Sequence, residues 1–362
     1  MARDSRTTWF LRRACVDALR RAILLLPVLI MYGCAPTALP DVAWPNPPDA
    51  PRIKYNRDIR GGRDLKPSSI AAEILLGAEE AMSLRKPMGI YVDKSSKIFV
   101  TDTALSDVLL LDTVKKDMVS LNSKAKIFFK PIGVATDGAG KVFVTDSQLD
   151  KVVVLNEKGE VLSYLEEGDI PFKQPTGIYA DQTNRRLYVT DTHHHHVKVY
   201  DLDTQKYVKT IGRRGKDEGE FNFPSHITVD SKGNLYVVDT MNGRVQIFDG
   251  EGRFMRAFGQ FGDVPGMFAR PKGIAVDSEG HIYVVDAAFN NVQIFDEEGQ
   301  ILMSFASYGN DRGQLILPAG VSIDKDDFIY VVDSWNRRVA VYEYLGKKAK
   351  ARGTTVKGKA IE

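Results

Sequence analysis

The chain has 362 residues, 49 basic and 47 acidic side chains, 43% hydrophobic residues and two cysteines. Without the first 33 residues and the basic end from Gly346, 37 basic side chains face 44 acidic ones, which excludes the concentrated positive footprint that nucleic-acid binding needs. Cys15 and Cys34 are the only thiols and neither lies in the repeated part of the chain, so closure must come from packing and strand pairing.

Arg12, Arg13, Arg20 and Arg21 precede the apolar run Ala22–Tyr32. That run is too short to span a bilayer as a helix, which needs about 20 residues, and the layout matches a secretory signal over residues 1–33. The ending Met31-Tyr32-Gly33-Cys34 resembles a bacterial lipobox. The resemblance implies export, lipidation at Cys34 and attachment to the bilayer of a bacterial cell envelope, on the outer-membrane or periplasmic side. Residues 34–50, with Pro45, Pro47 and Pro48, read as an extended tether.

Residues 51–86 follow as a closing strand and a short helix. Pro51–Ile59 (PRIKYNRDI) alternates like a strand but has no sheet of its own, and it is expected to pair with Val339–Tyr344. Helix formers over residues 68–84, with Ser68 or Ser69 as N-cap, predict the helix.

From residue 87 to 345 one pattern recurs: PMGIYVD, PIGVATD, PTGIYAD, PSHITVD, PKGIAVD and PAGVSID, starting at Pro87, Pro131, Pro175, Pro224, Pro271 and Pro318. Each copy continues to a second strand closed by Asp102, Asp146, Asp191, Asp239, Asp286 or Asp333. A valine that opens a third strand follows six positions later. Short β-branched and aromatic runs bounded by Gly, Asp and Asn are strands. A period of roughly 40–50 residues with several strands per unit predicts propeller blades. The fold class is therefore all-β: a six-bladed propeller of four-stranded antiparallel blades. The remainder, residues 346–362, carries six basic side chains and one acidic one and reads as a solvated, disordered tail.

PxGIxVD, YVVD with a polar loop, VQIFD and the joints GRRGKDEGEFNFP and GQFGDVPGMFARP together resemble NHL repeats. The resemblance implies a six-bladed propeller and little chemistry, because one frame serves binding proteins and enzymes alike.

The paired Asp residues of each copy read as acceptors for backbone amides in turns rather than as acids and bases. One position breaks the pattern: His226 stands where the other copies have Gly89, Gly133, Gly177, Gly273 and Gly320. The loop His193–His196 falls one blade earlier on the same expected face. His193, His195 and His226 are accordingly candidate ligands for a divalent transition metal such as zinc. A histidine at the third motif position also resembles the amidating lyases that cleave peptidyl-hydroxyglycine, whose zinc ligands come from several blades. Only one blade here carries it, which leaves that set unassembled. No catalytic group is assigned.

The loops between second and third strands carry Leu105, Leu149, Met241, Phe289 and Trp335, with Arg213, Arg214, Arg244, Arg337 and Arg338 nearby. Trp and Arg are enriched at interface hot spots. The sequence thus points to a binding or scaffold module for an envelope protein, peptide or glycan, with a metal-dependent lyase or hydrolase as the alternative.

Overall fold

The computed structural model describes residues 41–46, 48–65, 82–122, 126–166 and 168–356. The signal segment, Cys34, most of the tether and nearly all of the expected helix at 68–84 lie outside the described residues. Val42–Glu362 forms one compact unit.

Six antiparallel sheets follow the six sequence copies, and the first strand of each copy contacts that of the next around a closed ring. In blade four these strands are Pro224–Val229, Leu235–Asp239, Arg244–Phe248 and Phe254–Phe258, from axis to rim. The second strands are buried along nearly their whole length, because each sheet is covered on both faces by neighbouring blades. Apolar residues on both sides of these strands therefore build six core clusters, one in each gap between blades.

The register puts the start of the first strand beside the end of the second, and the end of the second beside the start of the third: Pro224 faces Asp239, and Asp239 faces Arg244. The joints between blades and the second-to-third-strand loops therefore share one face of the ring. The second recurrent Asp stitches them together there. Asp102 accepts from the backbone amides of Arg85, Lys86, Ala104 and Leu105, and Asp286 from those of Ala269, Arg270, Ala288 and Phe289. The first recurrent Asp does the same for the turn on the opposite face, as Asp230 does for the amides of Lys232 and Asn234.

Gly at the third motif position is a matter of space. A Cβ on Gly89 would stand 2.1 Å from the Ile132 carbonyl oxygen of the next blade, and one on Gly133 2.3 Å from that of Thr176. The first strands approach too closely for side chains at those positions.

Blade six holds Pro318–Ile323, Phe328–Asp333 and Arg338–Tyr344 from the C-terminal end of the chain, and Ile53–Ile59 from the N-terminal end as its fourth strand. The pairing runs from Ile53 against Tyr344 to Ile59 against Val339. Two segments depart from expectation. Ala43–Trp44, within the supposed tether, is a fifth strand beside Ile53 and Lys54, and the Trp44 ring packs 5.9 Å from those of Phe305 and Tyr342. The start of the basic tail is ordered too. Lys347–Ala351 forms a helix whose Ala349 is fully buried, Lys348 Nζ donates to the Lys325 carbonyl at 2.7 Å, and Arg352 pairs with Glu343 at 2.7 Å. One apolar contact and two cations facing carbonyl and carboxylate groups of blade six outweigh solvation of the charges.

Candidate functional site

The first strands of all six blades line an axial cavity of about 330 Å3. His226 stands at its joint-side end, and Asp93, Asp230, Asp277 and Asp324 stand at the other. Those carboxylates are committed to turns. Asp230 also accepts from the Tyr236 hydroxyl at 3.0 Å, and Asp277 from that of Tyr283 at 3.0 Å. The His226 imidazole lies 3.2 Å from Ser225 Oγ through Nδ1. Burial, reinforced by the charge of Lys272, pushes its pKa down to about 3, so the ring is neutral near pH 7. Lys272 is itself pushed below its usual value by burial and by Arg270 and Lys130.

The histidine loop is a single 3-10 turn, Thr192–His194, closed by His195 in the left-handed region at φ 59°. His195 Nδ1 accepts the Phe223 amide at 3.1 Å, and its ring packs edge-on to Phe223 at 4.5 Å. His193 also packs on Phe223. The expected trio of His193, His195 and His226 does not assemble into a ligand group among the described residues. The group that does is Asp191, His194 and His196, whose ligand atoms all lie within 4.8 Å of one another. Register was the missed signal. His194 and His196 follow Asp191 at the offsets at which Asn242 and Arg244 follow Asp239, and Asn336 and Arg338 follow Asp333.

That same register corrects two residues of the expected binding face. Arg338 is 1% exposed and bonds Asp333 at 2.8 Å and Asp58 at 2.7 Å. Arg244 is largely buried, bonds Asp239 at 2.9 Å and donates to the carbonyls of Asp217 and Glu220. Both neutralise buried carboxylates and hold joints, which leaves no guanidinium for a partner. Leu105, Leu149 and Phe289 are half-buried.

What stays open on this face is a set of aromatic, apolar and basic side chains. Trp335, Met241, Tyr308 and Phe261 are each more than half exposed. Arg213, Arg214 and Arg337 are exposed with them, Arg213 paired to Glu220 at 2.9 Å. Phe261 and Tyr308 occupy equivalent places in their joints, each bridging to the residue seven further on. Phe261 lies over Gly243, in the loop of Met241, and Asn336 of the Trp335 loop donates to Gly309 beside Tyr308 at 3.0 Å. The sequence reading takes its aromatic and apolar side chains from the second-to-third-strand loops and misses Phe261 and Tyr308, although both stand beside glycines of the joints.

Known proteins agree with this frame. A family model described as a 6-bladed beta-propeller matches residues 167–241 and 230–288, and one for the NHL repeat matches 315–342. The chain is 34% identical over 88 residues to a probable peptidyl-alpha-hydroxyglycine alpha-amidating lyase, pgal-1, of Caenorhabditis elegans, a match covering 23% of this chain and 25% of the lyase. It thus spans about a quarter of that relative's length. Among solved structures it resembles an auxiliary nutrient binding protein from Bacteroides thetaiotaomicron, with a TM-score of 0.57, 16% identity and coverage of 72% of this chain and 69% of that one. It also resembles virginiamycin B lyase from Staphylococcus aureus, with a TM-score of 0.51, 15% identity and coverage of 82% and 91%. At such identities the likeness carries the fold alone. The chain is a six-bladed β-propeller whose residues 315–342 match the NHL repeat.

Proposed function

We propose that this propeller is a binding module that holds an envelope protein, peptide or glycan on its joint-and-loop face, tethered to the membrane through lipid on Cys34. The observation that carries the reading is the collection of Trp335, Tyr308, Phe261 and Met241 as exposed side chains on one face, beside Arg213, Arg214 and Arg337. A planar ring is a large contact surface that loses little conformational freedom on binding, and arginine adds directional hydrogen bonds. The envelope location rests on the signal-like segment and the lipobox-like Cys34.

Two variants test the two halves. Trp335→Ala is expected to leave unfolding within about 0.5 kcal/mol of wild type, as for an exposed side chain, and to weaken capture of the partner by roughly 2 kcal/mol. Cross-linking and pull-down from a membrane extract read the second effect, and equal recovery by both proteins overturns the proposed face. Cys34→Ser is expected to move the protein from the membrane to the soluble fraction, since each buried methylene of an acyl chain contributes about 0.8 kcal/mol. Unchanged membrane recovery of that variant removes the lipid anchor from the reading.

A further inference from the structure

Blades three, four and six each bury an Asp at the end of the second strand and bring two side-chain nitrogens to one of its oxygens. In blade four Asn242 Nδ2 and Arg244 Nε stand 2.8 and 2.9 Å from Asp239 Oδ2. In blade six Asn336 Nδ2 and Arg338 Nε stand 2.7 and 2.8 Å from Asp333 Oδ2. In blade three His194 Nδ1 and His196 Nε2 stand 3.0 and 3.5 Å from Asp191 Oδ2. An amide and a guanidinium offer only protons at those nitrogens, whereas an imidazole nitrogen can offer a lone pair. Blade three alone among these places two lone-pair donors around a buried carboxylate.

The fit is also looser there, in a way that favours a cation. His196 is 7% exposed, and its Nε2 is buried without a hydrogen-bond partner, facing the carboxylate from 3.5 Å. A buried polar atom left unpaired costs about 1–3 kcal/mol. The His194 and His196 rings stack at 5.6 Å and 29°, so both present their edges to Asp191. Asp191 Oδ1 is fixed by the Lys173 amide at 2.8 Å, which leaves Oδ2 toward the rings. The His194 side chain is 32% exposed, and the site therefore opens to the joint-and-loop face.

We propose that Asp191, His194 and His196 form a binding site for a divalent transition metal of the zinc class. Two imidazoles and one carboxylate are a donor set that suits zinc, nickel or copper and leaves coordination positions for water or a ligand. On binding, the metal takes the His194 Nδ1 lone pair, and the proton shared with Asp191 moves to the other ring nitrogen or to water. Lys198, fully buried, holds its ammonium 3.8 Å from the same Asp191 oxygen. It is a resident cation that competes with the metal, which makes the site weaker than the three ligands alone would be. This site is independent of the binding face proposed above, and its failure would leave that face untouched.

Cobalt(II) titrated into tag-free, chelator-treated protein gives the readout through its visible absorption bands, with zinc(II) displacing it. Wild type is expected to show a saturable spectrum. The triple variant His194→Asn, His196→Arg and Lys198→Gln installs the set that blade four carries as Asn242, Arg244 and Gln246, so it is expected to fold and to lose the spectrum at concentrations that saturate wild type. His193→Ala with His195→Ala removes the remaining imidazoles of the loop and is expected to keep the spectrum. A wild type that takes up no cobalt overturns the site. So does a spectrum that survives in the triple variant or disappears in the double variant.

Discussion

A chain lacking residues 42–60 is expected to lose cooperative unfolding and to aggregate. Those residues supply the outer strand of blade six, and through it the ends of the chain hold each other. Ile53 and Ile59 are fully buried and Tyr55 nearly so. Burying three such side chains contributes roughly 5–9 kcal/mol at 1.5–3 kcal/mol each, against a total of about 5–15 kcal/mol for a folded domain. Their loss also bares the edge of Arg338–Tyr344, a strand of alternating Val, Ala and Tyr that invites pairing with another chain. Ile59 packs in the cluster between blades six and one, so the gap there would loosen with the edge. Calorimetry and light scattering on the truncated and untruncated proteins measure the effect. A truncated protein that melts as sharply and as high as the full one would show that the ring closes without this strand.

The frame was legible because each blade repeats one physical problem. A sheet covered on both faces needs apolar residues on both sides of its second strand, and each strand exit needs an acceptor for turn amides. VVD-type endings answer both needs at once. The site was less legible because the same loop positions hold two kinds of residue. Trp335 and Arg338 lie three positions apart, yet one points to solvent and the other is buried against Asp333 and Asp58. Composition alone groups them. Spacing from the buried Asp separates them, since in blades three, four and six the residues three and five beyond it turn back onto the carboxylate. The same spacing selects His194 and His196 from a run of four histidines and leaves His193 and His195 to pack on Phe223. For the tail, composition misleads in the opposite direction: the lysines around Ala349 suggest solvation, and nothing in so short a stretch announces the carbonyls and carboxylates of blade six that receive them.

Arg338→Ala is expected to cost about 3–5 kcal/mol of stability, the range for a buried ion pair that loses one partner. The guanidinium is 1% exposed and joins three parts of the chain. Nε bonds Asp333 of its own blade, Nη1 bonds Asp58 of the closing strand at 2.7 Å, and Nη2 bonds the Gln314 carbonyl of the preceding joint at 2.7 Å. Removing it leaves the wholly buried Asp333 with neutral donors alone, Asn336 and the Ile316 amide, leaves Asp58 with Arg60 at 3.2 Å, and unties the closing strand from the joint. The loss comes from uncompensated charge more than from missing attraction, and this gives the test its control. Arg338→Met combined with Asp58→Asn and Asp333→Asn removes the charges together, and it should recover much of the lost stability, because well-packed neutral replacements of buried ion pairs are often close to neutral. Urea denaturation of the single and triple variants measures both steps. If Arg338→Ala unfolds at the wild-type midpoint while partner capture falls, Arg338 belongs to the recognition surface and the latch described here is wrong.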